Sequence, residues 1–168
     1  HAYYAIRRAF EPVILSFEIG NYIWLWAIND SPNPAEGTVN IQLFHLDRNK
    51  ASQEITRFVT IPPGQSKVVV RLDEAGIGLF RREHILSATL SGKNGEIIAR
   101  TNSLTDIERH IAFPNAKLNM LVKNDELVIT TDKFAHTVVL DGDSGGEKLG
   151  WFFEDNYFDL LPGEVKTV

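Results

Sequence analysis

Tyr22, Trp24 and Trp26 occupy alternate positions in one short apolar run, Tyr22 to Asn29. In an extended chain alternate side chains project to the same side, so the three rings would form one aromatic row. A row of that kind can stack on sugar rings, and it makes these three residues the candidate carbohydrate-binding set. Burial is the preferred reading. Ile23, Leu25 and Ala27 are also apolar, so both faces of the run could be covered, and aromatic side chains bury large areas.

A second cluster comprises Trp151, Phe152, Phe153, Tyr157 and Phe158, flanked by Glu154, Asp155 and Asp159. It could be a loop at the rim of a ligand site. The preferred reading is the edge of a β-sandwich, with Tyr157 turned into a corner hydrogen bond. Asp141 to Glu147 is acidic and rich in glycine, like a calcium loop. An EF-hand needs glutamate at its twelfth position, which here is Phe152, so a solvated loop is expected. The histidines His1, His45, His84, His110 and His136 are scattered without metal-ligand spacing. No Gly-x-Ser-x-Gly elbow accompanies them, and the absence of cysteine removes thiolate ligands and a cysteine nucleophile. No metal or other cofactor is expected. Asn29-Asp30-Ser31 matches a glycosylation sequon, weakened by Pro32.

A net charge of -5 without a basic run argues against nucleic acid and anionic membrane as partners. The longest apolar stretch is far too short to span a bilayer. A charged fraction of 23% beside 43% apolar residues is that of a folded chain rather than a disordered one.

The elements that position these residues are nearly all strands. Ala2 to Phe10 has Tyr3, Ile6 and Phe10 at helical spacing and is closed by Pro12. From there the period is two. Strands are expected at 13–19, 22–29, 38–46, 54–61, 66–72, 85–90 and 96–101, separated by turn residues. About seven strands in roughly 90 residues indicate an immunoglobulin-like or fibronectin-like sandwich without its disulfide. A second β-series occupies 117–122, 127–131, 136–140 and 151–161, with another strand beginning at 165–168. At about 60 residues this unit is short of the roughly 100 of a typical sandwich. The expected organisation is all-β: a helix over 1–11, a sandwich over 12–104, a linker over 105–116, and a second, truncated sandwich over 117–168.

Two segments carry a family resemblance. Ala2-Tyr3-Tyr4-Ala5-Ile6-Arg7-Arg8-Ala9-Phe10-Glu11-Pro12-Val13 resembles the junction in family 2 glycoside hydrolases where the last helix of the catalytic (β/α)8 barrel enters an immunoglobulin-like domain. Gly150-Trp151-Phe152-Phe153-Glu154-Asp155-Asn156-Tyr157-Phe158-Asp159-Leu160-Leu161-Pro162-Gly163-Glu164 is similar to the final domain of β-mannosidases and related exo-acting enzymes. The resemblance implies a retaining hydrolase as the parent, whose two carboxylates sit about 5 Å apart. Both would belong to the barrel, upstream of residue 1, so no catalytic residue is carried over. It implies the parent's catalytic barrel as partner, with oligosaccharide as a further candidate. A bacterial glycan-degrading parent would be periplasmic or secreted, and any other cytoplasmic. The helix, taken as the tail of a barrel, is expected to expose apolar surface near Tyr3, Tyr4, Ile6 and Phe10.

Three functions fit this reading: an accessory region supporting a hydrolase barrel, a carbohydrate-binding module using the aromatic row, or an immunoglobulin-like interaction module. The first is preferred on the resemblance.

Overall fold

The structure is a computed structural model that describes residues 2–124, 126–141 and 153–168. It divides into two compact units, Phe10–Ala112 and His1–Ala9 together with Phe113–Val168.

In the first unit seven strands form two antiparallel sheets. Strands β1 (Val13–Ile19), β2 (Ile23–Asn29) and β5 (Gln65–Leu72) make a three-stranded sheet in the order β1-β2-β5. Strands β3 (Ala35–His45), β4 (Lys50–Ile61), β6 (His84–Ser91) and β7 (Ile97–Leu104) make the other, in the order β4-β3-β6-β7. The period-two pattern explains how the sheets close on one another. Ile23, Leu25 and Ala27 turn inward from β2 and are fully buried, and they share a core with Val39 and Ile41 of β3 and Leu86 and Leu90 of β6. Burying a side chain of the Leu or Ile class contributes about 1.5–3 kcal/mol.

Three strands run several residues past their expected ends; one is β4, which begins at Lys50 rather than Glu54. β3 begins at Ala35 rather than Thr38, because Gly37 is a packing residue and not a loop residue. A Cβ placed there would lie 2.2 Å from the carbonyl oxygen of Ser91 on the neighbouring strand. β7 continues to Leu104, and Asn102 and Ser103 pair with Ser87 and Leu86. The stretch expected as a linker is partly anchored to this unit. Thr105 is buried, with its hydroxyl 2.6 Å from the carbonyl oxygen of His84, a short 3-10 turn spans Glu108–His110, and Ile111 is buried.

Among the described residues, the second unit carries α1 (Ala2–Ala9) and five short strands. Strands β8 (Leu118–Lys123), β9 (Glu126–Thr131) and β12 (Lys166–Thr167) form a sheet in the order β12-β9-β8, while β10 (Ala135–Val138) pairs with β11 (Phe158–Leu160). Ile129, Val138, Phe158 and Leu160 are its buried core. The strand expected from residue 165 is β12. It closes on β9 through paired bonds between the Leu127 and Val168 backbones at 2.8 and 3.0 Å. β8 is the outer strand of its sheet, and all six of its residues are exposed.

The helix differs from expectation in one respect. Tyr3 and Ile6 are exposed, as is Phe10 in the other unit, but Tyr4 is buried. Its hydroxyl donates to the carbonyl oxygen of Phe153 at 3.1 Å, and its ring lies against Tyr157. A partner for α1 therefore exists within its own unit. Trp151, Phe152 and residues 142–147, where a solvated loop is expected, lie outside the described residues.

Candidate functional site

The aromatic row forms as the alternation requires. Trp24 and Trp26 are on the outward face of β2 and are half-buried, while Tyr22, just before the strand, is 38% exposed. The outward face is not a second core. Tyr22 and Trp24 meet edge to face, with ring centroids 6.4 Å apart and planes at 74°, a favoured arrangement for aromatic pairs.

Strand register supplies the polar neighbours. Glu18 of β1 and Arg71 of β5 are the cross-strand partners of Trp24, one on each side. The Arg71 guanidinium carbon lies 4.3 Å from the Tyr22 ring centroid and 5.6 Å from that of Trp24, within cation–π range of both. Trp26 Nε1 donates to Glu18 Oε2 at 2.9 Å. Beside Trp26 stands Ser16, which is short and exposed. The result is a row of rings with a donor on one flank and an acceptor on the other. Arg71 and Glu18 could not be singled out from spacing, since they lie in other strands and join the row only through register.

The acidic residues around the second cluster have structural partners. Glu154 pairs with Arg7 at 3.1 Å, Asp155 with Arg8 and Lys166 at 2.6 Å each, and Asp159 with His136 at 2.8 Å. The Glu154 carboxylate holds the already high Arg7 pKa higher still. Asp159 Oδ1 also accepts from the Thr137 backbone, and Phe113 stacks on His136 with centroids 4.7 Å apart and planes at 7°.

Register also brings together two histidines that spacing left apart. His45 of β3 and His84 of β6 are direct partners, both buried, with ring centroids 4.6 Å apart. Burial pushes the His84 pKa down, a backbone contact to Phe80 opposes that, and the facing His45 adds to the lowering. His110 pairs with Asp106 at 3.2 Å. Among the described residues no group of three or more His, Asp or Glu is placed to hold a metal ion, and no helix is long and apolar enough to cross a membrane.

The sequon asparagine is a structural node. Asn29 is fully buried. Its amide donates to the carbonyl oxygens of Asn33 at 2.8 Å and Ile61 at 2.9 Å, while its Oδ1 accepts from the Ser31 backbone and hydroxyl. That satisfies a polar group which would be costly to bury unpaired.

Residues 22–106, half of the chain and the whole span from the aromatic row to the end of the first sandwich, match the family model of the mannosidase Ig/CBM-like domain. The chain belongs to the mannosidase Ig/CBM-like domain family. Residues 113–168 match an Ig-fold domain model. β-Mannosidase B of Aspergillus niger is 24% identical over 99% of the chain, which spans 22% of that protein. Among solved structures, β-D-mannosidase from Dictyoglomus thermophilum superposes with a TM-score of 0.76 at 18% identity, covering 99% of this chain and 20% of that one. The exo-chitosanase of Amycolatopsis orientalis gives 0.70 at 18% identity, covering 99% and 24%. The chain thus spans about a fifth to a quarter of the length of these relatives. The resemblance read from the two end segments, to the immunoglobulin-like domains of family 2 glycoside hydrolases nearest the β-mannosidases, is borne out, as is the all-β sandwich fold. For this mannosidase Ig/CBM-like chain, both solved structures share the fold over nearly its whole length.

Proposed function

We propose that these residues are a non-catalytic accessory region of a family 2 glycoside hydrolase that removes terminal β-mannosides, and that they support its catalytic barrel. The observation that carries this reading is the order of the two matches, a mannosidase-type sandwich at 22–106 and an Ig-fold unit at 113–168, within a chain about one fifth the length of β-mannosidase B. Glu154, Asp155 and Asp159 each form ion pairs within their own unit, which agrees with a structural role for them. The parent's retaining chemistry, with nucleophile and acid/base on the barrel, needs nothing from the sandwiches but support.

The partner in this reading is the catalytic barrel of the parent chain. Tyr3 and Ile6, one helical turn apart on α1 and exposed, are the apolar pair that would meet it.

The coding sequence immediately before the codon of residue 1 tests the proposal. A (β/α)8 barrel carrying two glutamates or aspartates at strand ends is expected there. A further immunoglobulin-like module in that place would overturn it and favour an interaction protein.

A further inference from the structure

We propose that the outward face of the β1-β2-β5 sheet binds a neutral oligosaccharide, with Tyr22 and Trp24 as stacking rings and Arg71 and Glu18 as its polar contacts. Three features of this face point to a sugar rather than to a second layer of protein.

The first is composition across the sheet. At Trp24 the ring of the central strand is flanked by a charge on each side, Glu18 on β1 and Arg71 on β5, with Ser16 beside Trp26; towards the other end of the strand Val68, Ile14 and Ile28 make the face apolar. A protein layer over Trp24 would have to desolvate both charges, which is expensive. A pyranose ring presents the matching pattern, with C–H bonds on its faces and hydroxyls around its rim.

The second is charge. The two ionic side chains are of opposite sign and stand on opposite flanks of the same residue, Trp24. The face therefore attracts neither an anion nor a cation, and it offers a donor and an acceptor to hydroxyls that can serve as either.

The third is preorganisation. The bond from Trp26 to Glu18 at 2.9 Å orients the carboxylate and one indole. Arg71 lies over Tyr22 and Trp24 at 4.3 and 5.6 Å. Rings and flanking groups held in place before binding lose less entropy when a ligand arrives. Ser16, opposite Trp26, is too short to screen that ring. The site is a shallow platform, so weak binding that grows with the number of sugar units is expected.

Calorimetric titration of the 168-residue chain with β-1,4-mannohexaose, and separately with cellohexaose, tests this. Saturable heat with at least one of them is expected. Trp24→Ala should weaken that binding at least about tenfold, as removal of a central aromatic anchor does. Arg71→Gln should weaken it about three- to tenfold, in line with the loss of one or two hydrogen bonds. Arg71 is exposed, so its variant keeps the test available if Trp24→Ala fails to fold, and circular dichroism establishes folding in each case. No heat with either sugar at millimolar concentration would overturn the proposal. So would concentration-dependent self-association of the unliganded chain that Trp24→Ala abolishes, since the face would then be a protein-docking surface. Neither result bears on the accessory role, which concerns the parent's barrel.

Discussion

Arg8 and Asp155 face each other across 147 positions of chain, Nη1 donating to Oδ1 at 2.6 Å. The same guanidinium donates to the carbonyl oxygens of Asn156 at 3.1 Å and Tyr157 at 3.0 Å, and Asp155 gives its other oxygen to Lys166 at 2.6 Å. One carboxylate thus ties α1 to β12. The rigid planar fork of arginine holds its donors towards separated acceptors, whereas a lysine ammonium is a compact point charge on a flexible stem.

Arg8→Ala is therefore expected to destabilise the unit formed by the helix and residues 113–168 by about 1–2 kcal/mol, a figure reduced because Arg8 is partly exposed. Arg8→Lys should recover less than half of the loss. Hydrogen exchange at the β9 and β12 amides measures both. Unchanged protection in Arg8→Ala would show that Tyr4 and Arg7 seat the helix without it.

Asn29 is fully buried with both ends of its amide engaged. Asn29→Ala leaves the Ile61 and Asn33 carbonyl oxygens and the Ser31 hydroxyl without that partner, and should cost about 2–3 kcal/mol. Urea unfolding followed by tryptophan emission reads the change. A loss below about 0.5 kcal/mol would mean that the β2 end relaxes around the cavity.

His84 makes stability depend on pH. Burial holds its pKa below the ordinary 6.5, so in the window between those two values the unfolded chain carries a proton that the folded chain does not. Stability should then fall as pH drops below about 6.5 and stay level above it. His84→Gln should flatten this slope. Asp106, held below its ordinary value of 3.8 by the Ile107 backbone N–H and by His110, supports the fold above 3.8, and that contribution is lost on further acidification. The two effects separate by window, and urea midpoints across about pH 3 to 8 resolve them.

Strand identity was legible from the sequence because alternation in β1, β2 and β5 obeys a period of two and the turns carry glycine, proline or asparagine. β3 was read short because Glu36-Gly37 after Pro34 has loop composition; the steric demand of the Ser91 carbonyl on Gly37 is a relation between strands. The aromatic row was visible for the same reason as its strand, while Arg71, Glu18 and the His45–His84 pair were not, since cross-strand register is set by the whole fold. The seating of Tyr4 was missed because helical periodicity in eight residues identifies an apolar face without identifying its partner.

Release of nitrophenol from p-nitrophenyl β-mannoside decides whether the sandwiches are non-catalytic, with the 168-residue chain assayed beside the proposed parent, in which a catalytic barrel precedes it. Turnover by the proposed parent and none above buffer by the chain alone are expected. Turnover by the purified chain that is abolished by substituting one of its own carboxylates, Glu154 or Asp155 for example, would contradict the non-catalytic role.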